Sequence, residues 1–307
     1  MRKRSKQSKA KLRKHPTEKH SIKSLLLLLG LVIFLLLIYF SLPKLNLKAS
    51  TQEPRRIIIV SPSPKPSPSP SPSARIEFPR HFGKQVTIPI LTYHYIGNNP
   101  NPEDKLRYSL SVTPDNFEAQ MQYISQNGYT TINLDTLYSS LKGAFPLPPK
   151  PIILTFDDGY MDFYYNAYPI LKKYNLSATS FIPTGLMNQG YYLNWDQIKE
   201  MDKSGLIKFE AHSVYHSDLS SLPDDQLKYE LSESKEVLET NLGKPVNFIA
   251  YPYGISDPQV WKATQDAGYL GSVGTWYGNI ISEGVLFDMP RIKIDGLYTF
   301  ETFKSLI

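Results

Sequence analysis

From about Val86 onward, the 307-residue sequence predicts an α/β fold with parallel strands closed into a barrel. Three observations carry the prediction. Short apolar runs rich in β-branched residues alternate with amphipathic stretches, the pattern of strands each followed by a covering helix. Seven or so such units occur and no GxGxxG follows the first strand, which favours a barrel over a dinucleotide-binding sheet. The polar residues suited to chemistry fall at strand ends, where barrels of this kind collect their active groups.

The elements follow in order. "VTIPILTYH" reads as the first strand and "TPDNFEAQMQYISQNG" as a helix, with Thr113 as N-cap and Gly128 past its end. "YTTINL" and "PIILTF" read as strands and "MDFYYNAYPILKKYN" as a helix. "SATSFIP" is a strand, "NWDQIKEMDKSG" a helix, "LIKFEAH" a strand and "PDDQLKYELSESKEVLETNLG" a long helix. "VNFIAYPYG" is a strand, "SDPQVWKATQDAG" a helix and "YLGSVGT" a strand. The folded module is thus expected over residues 86–307.

The segments before it have other roles. The chain's net charge of +6 comes from residues 1–23, which alone carry +9 with ten Lys or Arg against one acid, Glu18. The remaining residues are net negative, which excludes a nucleic-acid-binding reading of the whole chain. Residues 24–43, "SLLLLLGLVIFLLLIYFSLP", hold no charge over twenty positions. As a helix they would span about 30 Å, enough to cross a bilayer. The basic tail then stays cytoplasmic by the positive-inside bias, and everything after Pro43 lies outside the cell membrane. Residues 44–85 form a linker, and its stretch 61–73, "SPSPKPSPSPSPS", reads as an extended stalk because proline at alternate positions blocks helix and ladder alike. The chain has no cysteine, so disulfides, thiolate metal sites and a cysteine nucleophile are excluded.

"TFDDG" places Asp157 and Asp158 side by side at a strand end, where two bare anions would repel. Of six histidines, His15 and His20 are in the tail and His81 is in the linker, leaving His94, His212 and His216 in the module. The HxxxH spacing of "EAHSVYH" brings His212 and His216 to one point if the loop makes a helical turn. A cation bound by Asp158 and these two imidazoles would neutralise one carboxylate and let Asp157 stay ionised. One carboxylate, two imidazoles and an open position make a catalytic site, most simply for Zn2+, although Fe2+, Co2+ or Ni2+ fit the same donors. A free carboxylate beside activated water is a competent general base, and the arrangement predicts hydrolysis.

"TFDDG", then "HSVYH", then "YPYG", each after a strand, resembles the polysaccharide deacetylase family, the NodB-homology carbohydrate esterases, over roughly Thr87 to Arg291. The resemblance implies a deformed (β/α)7-type barrel. It also implies that Asp157 is the catalytic base and that Asp158, His212 and His216 hold the metal. Tyr251 and Pro252 would form a groove wall, the Tyr253 backbone N–H would bind the tetrahedral oxyanion, and Ser213 would brace the histidine loop. Two family features are missing. Ala250 stands where many relatives pair an arginine with the base, and no histidine follows His216 as a late general acid. His94 on the first strand and Arg291 in "MPRIKID" are the expected replacements. The order of these pieces resembles the branch containing poly-N-acetylglucosamine deacetylases.

Of the aromatic residues, Trp195 and Trp261 read as helix core, while Trp276 in "GTWYGN" is the candidate for stacking on a sugar. Strand alternation should point Tyr93 and Tyr95 away from the face of His94. The expected protein is a membrane-tethered N-deacetylase of an extracellular N-acetylglucosamine polymer. The alternatives are a peptidoglycan deacetylase and a non-catalytic carbohydrate-binding surface protein.

Overall fold

Seven β-branched runs become the staves of one closed ring. They are β1 (Ile90–Tyr93), β2 (Pro151–Phe156), β3 (Ala178–Ile182), β4 (Ile207–Ala211), β5 (Phe248–Ala250), β6 (Gly271–Tyr277) and β7 (Met289–Lys293). Every neighbouring pair is parallel, the order is β1-β7-β6-β5-β4-β3-β2, and β2 pairs again with β1 to close the barrel. The computed structural model of the chain describes residues 84–99, 101 and 103–307. The basic tail, the apolar segment 24–43 and the Pro/Ser stalk lie outside the described residues. Among the described residues no helix is long and apolar enough to cross a membrane.

The ring is uneven. Between β4 and β5 a single residue pair, Ala211 with Ile249, is in register, and the β6–β7 register shifts between Val273 and Tyr277. These irregularities are the deformation that the sequence resemblance implied. Side chains alternate as a barrel requires. Ile90, Ile153, Phe181, Phe248 and Val273 belong to one buried cluster, while their strand neighbours Leu91, Leu154, Ile182 and Ile249 belong to another with Phe117, Met121 and Ile124 of helix α2. Closure sets β1 directly between β2 and β7, so His94, Asp157 and Arg291 come from three adjacent staves.

The helices are α1 (Lys105–Leu110), α2 (Pro114–Gln126), α3 (Leu134–Leu141), α4 (Tyr168–Tyr174), α5 (Trp195–Lys203), α6 (Asp224–Leu242), α7 (Pro258–Asp266) and α8 (Phe300–Leu306). Thr113 caps α2, its hydroxyl accepting the Asn116 N–H at 3.3 Å. Trp195 and Trp261 pack against the core from α5 and α7, as expected for helix residues.

Three sequence expectations need correction. "YTTINL" is a strand only at Thr130–Thr131, because Asn133 accepts the Thr136 N–H (2.9 Å) and starts α3 at Leu134. The helix expected over "MDFYYNAYPILKKYN" opens with a π turn, Phe163–Ala167, before α4. Pro169 has no N–H to give the ladder, and the widened turn falls just ahead of it. "VNFIAYPYG" leaves the sheet at Ala250 and turns through a short 3₁₀ segment, Pro252–Gly254.

Candidate metal centre and groove

Asp157 and Asp158 follow β2, His212 follows β4, and His94 follows β1, so the strand ends deliver them to one mouth of the barrel. Asp158 takes a left-handed backbone (φ 72°) and Gly159 after it does too (φ 67°). A Cβ on Gly159 would stand 2.8 Å from the Ile182 side chain, so the motif's glycine is required by both backbone and space. The resulting turn lets the two carboxylates diverge.

Asp158 Oδ1 lies 3.2 Å from His212 Nε2 and 3.1 Å from His216 Nε2. His212 Nδ1 sits 2.7 Å from the Ala250 carbonyl. A carbonyl only accepts, so Nδ1 carries the hydrogen and Nε2 presents a lone pair towards Asp158. Asp158 Oδ1 is buried and has no hydrogen-bond partner. An oxygen and two imidazole nitrogens therefore converge on a point that lacks positive charge. Their donor atoms all lie within 4.8 Å of one another, and the set suits a divalent ion of the zinc or iron(II) kind. A proton answers the same need. Burial alone would lower the His212 pKa, but the neighbouring Asp158 and Asp157 carboxylates raise it.

The histidine loop is held from outside. It makes no helical turn, contrary to the condition attached to HxxxH; Ser213 (φ 63°) and His216 (φ 58°) are left-handed instead. The Ser213 hydroxyl accepts the His216 N–H at 3.0 Å, the brace expected of it. Glu230 of α6 does more. Its Oε2 accepts the N–H groups of Val214 (2.7 Å) and Tyr215 (3.0 Å), and its Oε1 accepts the Ser217 hydroxyl (3.2 Å). Sequence reading missed Glu230, yet it falls on the buried face of α6 with Leu227, Leu231, Ser234 and Leu238, where a buried acid calls for a partner.

Asp157 meets Arg291, which is 1% exposed on β7. Nη1 reaches Oδ1 at 2.8 Å and Nη2 reaches Oδ2 at 2.7 Å, while Nε donates to the Gly274 carbonyl and Nη1 also to Thr155 Oγ1. Burial pushes the Asp157 pKa up, but the Arg291 charge and hydrogen bonds outweigh it and hold the carboxyl below its usual value. The expected pairing is present, delivered from a different strand than Ala250. His94, half-buried beside them, has its pKa lowered chiefly by burial, against the pull of Asp157 and Asp158.

His94, Asp157, Asp158, His212 and His216 line one cavity of about 1060 Å³. Tyr253 borders it in a left-handed conformation (φ 60°), its exposed ring set edge-on to His216 at 4.7 Å. Gly254 follows at φ 68°, where a Cβ would collide with Thr275 at 1.9 Å. The groove expectations fare unevenly. Tyr251 borders the cavity, but its hydroxyl is turned into the core towards Phe287 O (3.1 Å) and Thr264 Oγ1. Pro252 is buried and is not part of the lining. Trp276 is not part of it either: β6 continues to Tyr277, and the indole N–H donates to the Asp288 carbonyl at 2.9 Å. Tyr93 points into the core as expected, its hydroxyl on Gln120, whereas Tyr95 lines the cavity because the strand breaks at His94.

Comparison with known proteins places this geometry in context. A family model described as polysaccharide deacetylase matches residues 145–271. YxkH of Bacillus subtilis (strain 168), a protein carrying the polysaccharide deacetylase description, is 31% identical over 224 residues, covering 73% of this chain and 77% of its own. The poly-β-1,6-N-acetyl-D-glucosamine N-deacetylase of Staphylococcus aureus (strain MRSA252) is 34% identical over 217 residues, 64% of this chain and 71% of its own. Among solved structures, the Streptococcus pyogenes deacetylase PplD, in complex with acetate, is similar with a TM-score of 0.68 and 34% identity, covering 73% of this chain and 99% of its own.

Proposed function

The chain belongs to the polysaccharide deacetylase family, hydrolases of non-peptide carbon–nitrogen bonds, and on that premise we propose that it removes acetyl groups from N-acetylglucosamine units of an extracellular, poly-N-acetylglucosamine-like polymer. The observation that carries the reading is the pairing of two differently treated acids. Asp158 Oδ1 faces the Nε2 atoms of two imidazoles, and Asp157 beside it is locked in a two-point grip by Arg291.

Asp158, His212 and His216 would hold a divalent ion, zinc in the first instance. Such an ion supplies Lewis acidity, making water nucleophilic near neutral pH and polarising the acetyl carbonyl. Asp157 is the group left to take the proton from the attacking water, and Arg291 keeps it ionised and aimed. The Tyr253 N–H donates to the oxygen on which negative charge develops. His94, across the same cavity, gives a proton to the departing amine; burial lowers its pKa, which makes the imidazolium the stronger acid. The products are acetate and a free glucosamine unit.

The N-terminal sequence supports a setting for this chemistry. Residues 1–23 would remain in the cytoplasm, 24–43 would cross the membrane, and the Pro/Ser stalk would hold the domain 86–307 near its polymer outside. The deciding experiment measures acetate release and bound metal together, on β-1,6-linked and β-1,4-linked N-acetylglucosamine oligomers. Release from the β-1,6 series by metal-loaded protein is expected. Sugar binding without any acetate release would make the protein a carbohydrate binder instead.

A further inference from the structure

The cavity is larger than an acetamido group at the metal cluster needs, since about 1060 Å³ is the upper end of the range for a whole small-molecule ligand. One of its walls is built from side chains that the proposed chemistry does not use. The Arg107 guanidinium of α1 lies 3.0 Å above the Tyr95 ring, Tyr95 stacks on Tyr160 (3.9 Å, 18°), and Tyr160 stacks on Tyr192 (5.4 Å, 24°). Tyr95 directly follows His94, and Tyr160 comes two positions after Asp158, so the stack begins beside the catalytic cluster. Planar stacking fixes a guanidinium in a way that no flexible surface arginine is fixed.

Asp162 lines the same wall. Its Oδ1 is buried without a hydrogen-bond partner, and so is Arg107 Nε. Those two atoms are closed to water, but both side chains border one cavity and no ion pair joins them, so one ligand can meet both the guanidinium and the carboxylate there. Charge decides its class. An anionic ligand would meet Asp162 and a cationic one would meet Arg107, whereas neighbouring hydroxyls can donate to the carboxylate and accept from the guanidinium at once. Burial pushes the Asp162 carboxyl up to about 6, against the Arg107 charge and the backbone hydrogen bonds that lower it.

We propose that Arg107 and Asp162, set by the Tyr95–Tyr160–Tyr192 stack, form a second sugar subsite that takes the vicinal hydroxyls of an uncharged pyranose next to the unit being deacetylated. The proposal rests on the deacetylase reading for its substrate but not for its residues.

The test compares kcat/KM for acetate release from a methyl glycoside of N-acetylglucosamine and from its β-1,6-linked tetramer. In the unaltered protein the tetramer should be the better substrate. In Arg107→Ala and in Asp162→Asn the tetramer-to-monomer ratio should fall about tenfold, the loss of one good polar contact. Arg107→Lys should lose nearly as much, because it keeps the charge but not the planar fork. Metal content and melting temperature check that each variant is folded. An unchanged ratio in folded variants overturns the subsite. So does a preference of the unaltered protein for a tetramer carrying carboxylates on the neighbouring sugar. Calorimetric binding of the tetramer separates the two proposals. If no substrate releases acetate, the deacetylase reading fails, but weaker tetramer binding by Arg107→Ala would still establish the subsite, and equal binding would remove it.

Discussion

Arg291 holds both oxygens of Asp157, Nη1 on Oδ1 at 2.8 Å and Nη2 on Oδ2 at 2.7 Å, from a strand on the far side of β1. Both side chains are almost fully buried. The position at which the family resemblance led one to look for this arginine is Ala250, whose carbonyl instead fixes the His212 tautomer. One residue's backbone thus holds a histidine of the candidate metal centre, while the guanidinium for Asp157 arrives from β7.

Arg291→Ala should leave a buried carboxylate unpaired and destabilise the domain by about 3–5 kcal/mol, read from denaturant midpoints. Arg291→Lys keeps the charge but cannot grip both oxygens. It should stay folded and lose about 10²-fold in kcat, because a misaimed base costs that much. Equal activity for Arg291→Lys would show that aiming Asp157 is not what Arg291 does.

Asp157→Asn removes the proton acceptor and leaves the three converging donor atoms intact. Acetate release should drop by about 10²–10⁴-fold, the range of general base catalysis, while metal bound per chain stays near one. Loss of metal in this variant would move Asp157 into the ligand set.

Removing the metal with a chelator should abolish turnover, and adding zinc, cobalt(II), nickel(II) or iron(II) should restore it to degrees that identify the preferred ion. Saturation at about 100 times the dissociation constant should raise the melting temperature by about 5–10 °C. Asp158→Asn should show neither effect. The affinity should weaken as pH falls, since protons compete with the metal for the two imidazole nitrogens beside Asp158 Oδ1.

Asp157, Asp158, His212 and His216 were legible because strand periodicity and a parallel barrel together fix where strand ends go. Arg291 and His94 were legible for the same reason, once closure sets the first strand between β2 and the last strand. They lie outside residues 145–271, where the family model matches, and were placed by the barrel's closure together with the wider resemblance over Thr87 to Arg291. What escaped depends on contacts that no local pattern encodes. The Ala250 carbonyl is a backbone atom, and its partner is 38 positions away in sequence. The left-handed backbone of Ser213 and His216 is imposed by Glu230 and Ser213 hydrogen bonds rather than by propensity. Trp276 looked like a loop residue because its strand continues through polar sequence, and Tyr251 looked like a groove residue because its hydroxyl's partners, Thr264 and Phe287, lie far along the chain.

Glu230 touches no donor atom of the cluster, yet it accepts the N–H groups on which the loop between the two histidines hangs. Glu230→Ala should therefore weaken metal affinity about 10–100-fold, as losses of groups behind metal ligands do. At saturating metal, kcat should recover. Unchanged affinity, measured by competition with a chelating dye, would leave Glu230 with a purely structural role.

Glu210 offers a pH dependence of stability whose sign is fixed. It is fully buried on β4, its Oε2 accepting the Asn247 and Phe248 N–H groups at 2.9 Å each and its Oε1 lying 2.8 Å from Lys208 Nζ. Burial, only partly offset by Lys208, pushes its pKa from 4.5 up to about 7. Between those values the folded chain holds a proton that the unfolded chain has released, so stability must fall as pH rises from about 4.5 to about 7 and level off beyond. Glu210→Gln is the isostere of the protonated acid and does not titrate. Urea midpoints of the two proteins should therefore diverge through that window, the unaltered protein losing ground as pH rises. A constant difference from pH 4.5 to 7 would mean that Glu210 titrates in the folded protein as it does in the unfolded one.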